Sequence, residues 1–172
     1  MIQWGKLLLI VVLGVASGCG YHLKGSLEIS DELKNVYMSG DTPSLHSAMG
    51  NMMKASKGKL ATASGDANIV IKISKEDMRT RVLSIGTTGK STESELNYYV
   101  RFQFFDNQDR PLQDEQTIEI TREFFNNQTA VLAKSSEELL LRDEMYQQAT
   151  RILMSRAKIA IDNQKTDNSK QP

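Results

Sequence analysis

Two stretches of strict alternation constrain the fold most. In the first, Leu96, Tyr98, Val100, Phe102 and Phe104 fall on one side, with Asn97, Tyr99, Arg101 and Gln103 on the other. In the second, Ile118, Ile120, Arg122 and Phe124 oppose Thr117, Glu119, Thr121 and Glu123. Successive side chains of a strand point to opposite faces, so apolar β-branched and aromatic residues at every second position predict a strand with one buried face. Ile69, Ile71 and Ile73, alternating with Val70, Lys72 and Ser74, repeat the pattern earlier in the chain. Asp106-Asn107-Gln108-Asp109-Arg110-Pro111 has turn chemistry and joins the last two strands. One apolar face per strand predicts an antiparallel meander covered on a single side.

The cover is legible as two helices. A short strand at Leu33–Met38 ends in Ser39-Gly40-Asp41, and Thr42-Pro43 then starts a helix, proline at the first position missing no amide bond. Leu45, Met49, Met52 and Met53 recur at helical spacing over Ser44–Ser56, before Gly58. Further on, Ser135-Ser136-Glu137-Glu138 reads as a capping box. Leu141, Met145, Ala149, Ile152, Arg156 and Ile159 form the inward stripe of the helix it opens, flanked by Leu140 and Leu153. The order β-α-β-β-β-α predicts an α+β two-layer sandwich, a mostly antiparallel four-stranded sheet covered on one face by two helices. Residues 162–172 are polar and read as a disordered tail, leaving 19–161 as a single domain.

The first 18 residues stand apart. Lys6 precedes Leu7-Leu8-Leu9-Ile10-Val11-Val12-Leu13, and small residues follow up to Cys19. This is the pattern of a removed export signal, and the apolar run is about half the ~20 residues a membrane-spanning helix needs. Small residues directly before the one cysteine of the chain look like the lipobox of bacterial lipoproteins, although Ala16 stands where a branched residue is usual. Cys19 is then the lipid-attachment site, carrying a diacylglycerol and an N-acyl chain, enough chains for stable anchoring. Gly20, not Asp, follows it, which by the enterobacterial sorting rule directs the protein to the outer membrane.

Charge and chemistry exclude several functions. Lys+Arg and Asp+Glu both number 21, and loss of Lys6 leaves 20 against 21, which gives no support for nucleic-acid binding. His22 and His46 have no zinc-ligand spacing around them, and no nucleophile motif is present, so neither an enzyme nor a cofactor or metal site is indicated. Gly86-Thr87-Thr88-Gly89-Lys90-Ser91-Thr92 imitates half of a phosphate-binding loop. Ser84 stands where a glycine is required and a strand, not a helix, follows. It reads as a solvated loop, Ser84–Glu93, between strands.

Cys19-Gly-Tyr-His-Leu-Lys-Gly25 resembles the mature start of the LptE family of lipopolysaccharide-assembly lipoproteins. Arg122-Glu-Phe-Phe-Asn-Asn127, Ala133-Lys134 and Glu144-Met145-Tyr146 extend the resemblance from about Glu93 to Lys158, while Ser44–Leu83 matches in pattern alone. The resemblance implies a one-to-one complex with the outer-membrane β-barrel LptD, a place inside its lumen as a plug, a part in its assembly, and binding of lipopolysaccharide. It also places lipopolysaccharide-contacting cations at Lys134 and, through a looser alignment, Lys90. Lys134 precedes the capping serine, where a cation opposes the positive helix terminus; either a ligand favours it or Glu137 and Glu138 neutralise it. Arg122, on the apolar face of its strand, reads as a partner for an acidic residue or as a third ligand contact. Gly86, Thr87, Thr88, Gly89 and Thr92 form a loop of small polar residues suited to a watered barrel interior, and are the expected barrel contacts. The alternative is a lipid-anchored envelope scaffold or docking module that handles no lipopolysaccharide.

Overall fold

The structure, a computed structural model, describes residues 29–87, 89, 91–125 and 131–168, and their side chains except at 131–135, 167 and 168. Cys19, Thr88 and Lys90 lie outside the described residues, as do the export segment and residues 169–172. Along the chain come β1 (Asn35–Ser39), α1 (Pro43–Ala55), β2 (Lys59–Leu60), β3 (Ile69–Ile85), β4 (Ser91–Phe105), β5 (Gln116–Phe125) and α2 (Val131–Asn168). A 3-10 turn at Asp31–Leu33 precedes β1, so that first strand starts two residues later than its apolar pattern indicates.

Among the described residues the chain is α+β with two α-helices, but the sheet has five strands where the sequence indicates four, in the order β2-β1-β3-β4-β5. It is mixed. β1 runs parallel to both β2 and β3, and only β3–β4 and β4–β5 are antiparallel. The reason is the crossover: a chain that leaves β1 and returns through a helix arrives in the same direction, which a hairpin cannot do. Proline at the first turn of α1 and Gly58 after its end fix the two ends of that crossover. A Cβ at Gly58 would lie 2.6 Å from Met53 Cε and 2.9 Å from Ile29 Cδ1, so no larger residue fits there without a shift.

The core lies between the sheet and the two helices. Leu96, Tyr98, Val100, Phe102 and Phe104 are all buried, as are Ile118 and Ile120 opposite Val100 and Tyr98, and Phe124 opposite Ser94. From α1, Leu45, Met49 and Met53 pack onto them. In α2 the buried residues are Met145, Ala149, Leu153, Ala157 and Ala160, with Thr150 and Met154 on one flank. This corrects the expected stripe. Leu153 belongs at its centre, while Ile159 is 54% exposed and Leu140 is also exposed. The helix has two partners, sheet and α1, and the second claims the flank carrying Thr150 and Met154, which widens and rotates the buried face.

Two further corrections concern the ends of α2. The helix starts at Val131, so Ser135 lies inside it and does not cap it, and Lys134 is likewise an interior helical residue. At the other end, 162–168 are helical where the polar composition suggests a disordered tail. Lys165 Nζ donates to Glu32 Oε1 at 2.5 Å, which gives this polar end a tertiary partner.

Candidate functional site

The feature that sets this fold apart from a compact two-layer domain is the β3–β4 hairpin. β3 is 17 residues long and β4 is 15, yet β1 pairs with β3 only over Ile69–Lys72. Beyond that point β3 has one neighbouring strand, β4, and the hairpin runs on to Ile85 and Ser91. The segment 75–95, expected from composition to contain the inter-strand loop, is therefore mostly paired strand. Lys75-Glu76-Asp77 breaks the apolar alternation without ending the strand, because irregular pairing between Ile73 and Lys75 shifts the register there.

The true turn is tight. Gly89 N–H donates to Gly86 C=O at 2.9 Å, and Gly89 takes φ +74°, a conformation that favours glycine. Ser84 Oγ and Thr92 Oγ1 lie 2.6 Å apart, Ser84 Oγ also donates to Glu93 Oε2, and Ser91 and Ser94 share a hydrogen bond at 3.1 Å. Of the expected barrel-contacting residues, Thr87 and Gly89 are exposed, Gly86 is half-buried, and Thr92 is half-buried with its hydroxyl engaged.

The same end of the molecule carries apolar residues that the loop reading passed over. Val82, Leu83 and Ile85 are exposed just before the turn. Phe125, directly across from Glu93, is 73% exposed at the end of β5. Arg142 Nη2 reaches Thr80 Oγ1 at 3.5 Å, which sets the neighbouring turn of α2, with exposed Leu139 and Leu140, toward this end as well. The distal end thus combines a polar, glycine-containing tip with an apolar collar, an arrangement suited to a partner surface. The run Val82-Leu83 and Ile85 before Gly86 was the available sequence signal.

Lys134 has its backbone in the first turns of α2, close in sequence to this collar. Arg122 occupies the helix-facing side of β5, opposite Leu96. Its guanidinium donates to Thr121 C=O at 3.0 Å and to Gln148 Oε1 on α2. Its partners are thus a carbonyl and a neutral amide, in place of the acidic residue expected, and it ties the helix to the edge strand. A pair of one buried and one half-buried polar side chain lies nearer the base of the hairpin. Tyr98 O–H donates to Glu76 Oε1 at 2.5 Å, with the Tyr146 ring edge-on at 5.0 Å. Burial raises the Glu76 carboxyl above its ordinary value, and burial followed by the Glu76 contact raises the Tyr98 hydroxyl. Among the described residues no group of His, Cys, Asp or Glu could hold a metal ion, and no helix is long and apolar enough to cross a membrane.

The model of the LptE lipopolysaccharide-assembly family matches residues 33–157, which span β1 to the middle of α2 and include the whole projecting hairpin. The chain belongs to the LptE family. It is 28% identical over 157 residues to the LPS-assembly lipoprotein LptE of Photorhabdus laumondii, covering 86% of this chain and 81% of that protein. It is 28% identical over 177 residues to the LptE of Pectobacterium atrosepticum, covering 94% and 90%. Among solved structures it resembles the rare lipoprotein B of Shewanella oneidensis, with TM-score 0.61 and 27% identity over 76% of this chain and 98% of that one. A lipoprotein B of Nitrosomonas europaea shares the fold at TM-score 0.62 and 24% identity, over 78% and 88%. LptE membership gives the chain a role in lipopolysaccharide assembly, and its LptE relatives are named lipoproteins, as the Cys19 motif leads one to expect.

Proposed function

We propose that this chain is a non-catalytic outer-membrane lipoprotein, held by acyl chains on Cys19, that sits inside the lumen of LptD in a one-to-one complex. It assists that barrel's assembly and contacts lipopolysaccharide on its way to the outer leaflet. The observation that carries the reading is the distal end: a hairpin that outruns its own sheet, tipped by Thr87 and Gly89 and collared by Val82, Ile85 and Phe125. A barrel lumen is polar and watered, which suits the tip at Thr87 and Gly89, while the exposed apolar collar offers a contact surface, and both meet a partner without disturbing the core. Lys90 and Lys134 supply cations for lipid A phosphates, while Arg122 and Gln148 keep α2 in place on the sheet.

The test is a double variant, Lys90→Gln with Lys134→Gln, assayed for binding of purified lipopolysaccharide at two ionic strengths. Binding should weaken, and the loss should be larger at low salt, where exposed charges are least screened. The melting temperature should barely move, because exposed charges add little to stability. Unaltered binding at low salt removes both lysines from the site. Retained co-purification with LptD in that case would favour the docking role without lipid contact.

A further inference from the structure

The outer, helical layer of the molecule carries a site that the distal hairpin does not explain. α1 and α2 splay apart and leave a cleft of about 450 Å³ between Ala48, Met52 and Ala55 on one side and Gln147, Thr150 and Arg151 on the other. A second hollow of about 240 Å³ continues it toward the start of β1, lined by Ile29, Leu33, Met52 and Met154, with Arg151 and Lys158 at its edge. Met52 and Arg151 border both, so the two form one groove.

Its chemistry is divided along its length. The second hollow has an apolar floor, two of whose side chains are methionines that re-pack around varied ligands. No carboxylate lines it, whereas Asp143 lies at the far end of the first cleft and is already occupied by Gln147 Nε2 at 2.7 Å. Arg151 is exposed, and among the described residues it has no hydrogen bond, ion pair or ring contact. The other arginines of the chain all hold a partner within the fold, as Arg110 does on Asp106 and Arg156 on the Thr117 carbonyl. Lys158 is equally free, on the same face two helical turns away, about 10 Å along the axis and within the combined reach of the two long side chains.

We propose that this groove binds an anionic glycerophospholipid, with one acyl chain on the Ile29, Leu33, Met52 and Met154 floor and the phosphate between Arg151 and Lys158. A free guanidinium fork matches phosphate oxygens in bidentate geometry, and the ammonium adds a point charge. A hollow of about 240 Å³ holds part of one chain, which suits a two-chain phospholipid better than a lipid with many acyl chains. The inference stands apart from the lipopolysaccharide reading, since it uses neither Lys90, Lys134 nor the hairpin.

The test is native mass spectrometry of the full chain released from a non-ionic detergent, with phosphatidylglycerol or phosphatidylcholine added at equal concentration. A one-to-one phosphatidylglycerol adduct should dominate. Arg151→Gln with Lys158→Gln should weaken it about tenfold, the loss of a hydrogen bond to a charged group. Ser155→Trp, at an exposed groove position, should reduce it while leaving both cations in place. Equal adducts with both lipids, or an adduct unchanged in either variant, overturns the proposal. Complete displacement by inorganic phosphate at the same concentration would leave only an anion site, and displacement by a glutamate-rich peptide would make the groove a protein dock; either result overturns the lipid assignment.

Discussion

The hydroxyl of Tyr98, at the centre of β4, donates a 2.5 Å hydrogen bond to a carboxylate oxygen of Glu76 on β3, and the Tyr98 ring meets that of Tyr146 from α2 edge-on. This places a titratable group on the helix-facing side of the sheet. Burial raises the Glu76 carboxyl, the Tyr98 hydrogen bond lowers it by less, and the charge of Asp41 adds to the rise. The folded chain therefore holds this proton more tightly than the unfolded chain. The associated stability is full below the ordinary value of 4.5 and is lost as pH rises through the elevated folded value.

Glu76→Gln mimics the protonated form and keeps an acceptor for Tyr98. Its melting temperature should exceed that of the parent at neutral pH, and the difference should shrink as pH falls toward 4.5. Tyr98→Phe should instead cost about 1–3 kcal/mol at neutral pH by leaving the carboxylate without its donor. Thermal melts across pH check both, and a Glu76→Gln advantage that grows on acidification contradicts the assignment.

The clamp at the other end of the molecule has the opposite sign. The hydrogen bond from Lys165 and lesser ones from the Glu32 amide and Ser30 hold the Glu32 carboxyl at about 2, below its ordinary value of 4.5. Its contribution is present above 4.5 and is lost as pH falls toward 2. Lys165→Met should therefore lower the melting temperature slightly at neutral pH and low salt, with the difference from the parent vanishing near pH 2. A difference that persists undiminished in acid would show that the end of α2 is held by something other than this ion pair.

Much of the architecture was legible, and the misses have identifiable causes. The alternation in β4 and β5 named the buried residues correctly because both strands have a single apolar face. The strand-helix-strand order at the start of the chain contained the parallel pairing, but the dominant antiparallel alternation overrode it. In β3 the charges of Lys75, Glu76 and Asp77 hid eleven further strand residues, since a hairpin with one neighbouring strand need not bury a full face. Around the candidate site, the turn glycines and Thr87 were readable as an inter-strand turn, whereas the engagement of Arg122 by Gln148 depends on helix placement that no local pattern encodes.

The phase of α2 offers a direct check on that last point. Leu153→Ala removes a fully buried side chain and should cost about 2–5 kcal/mol. Ile159→Ala, at a 54% exposed position, should stay within about 0.5 kcal/mol of the parent. Equilibrium denaturation separates the two outcomes, and comparable losses would restore the stripe that runs through Ile159.

The central claim is that the distal hairpin end lies against the wall of the LptD barrel. The most direct measurement places a photo-crosslinking residue, one position at a time, at Thr87, Ile85 and Phe125 in living cells, with Met145 and Leu153 as buried controls. The three distal positions should trap LptD, and the two controls should trap nothing. Silence at all three distal positions, with strong LptD adducts from the opposite end near Glu32 or Lys165, would contradict it and reverse the orientation of the plug.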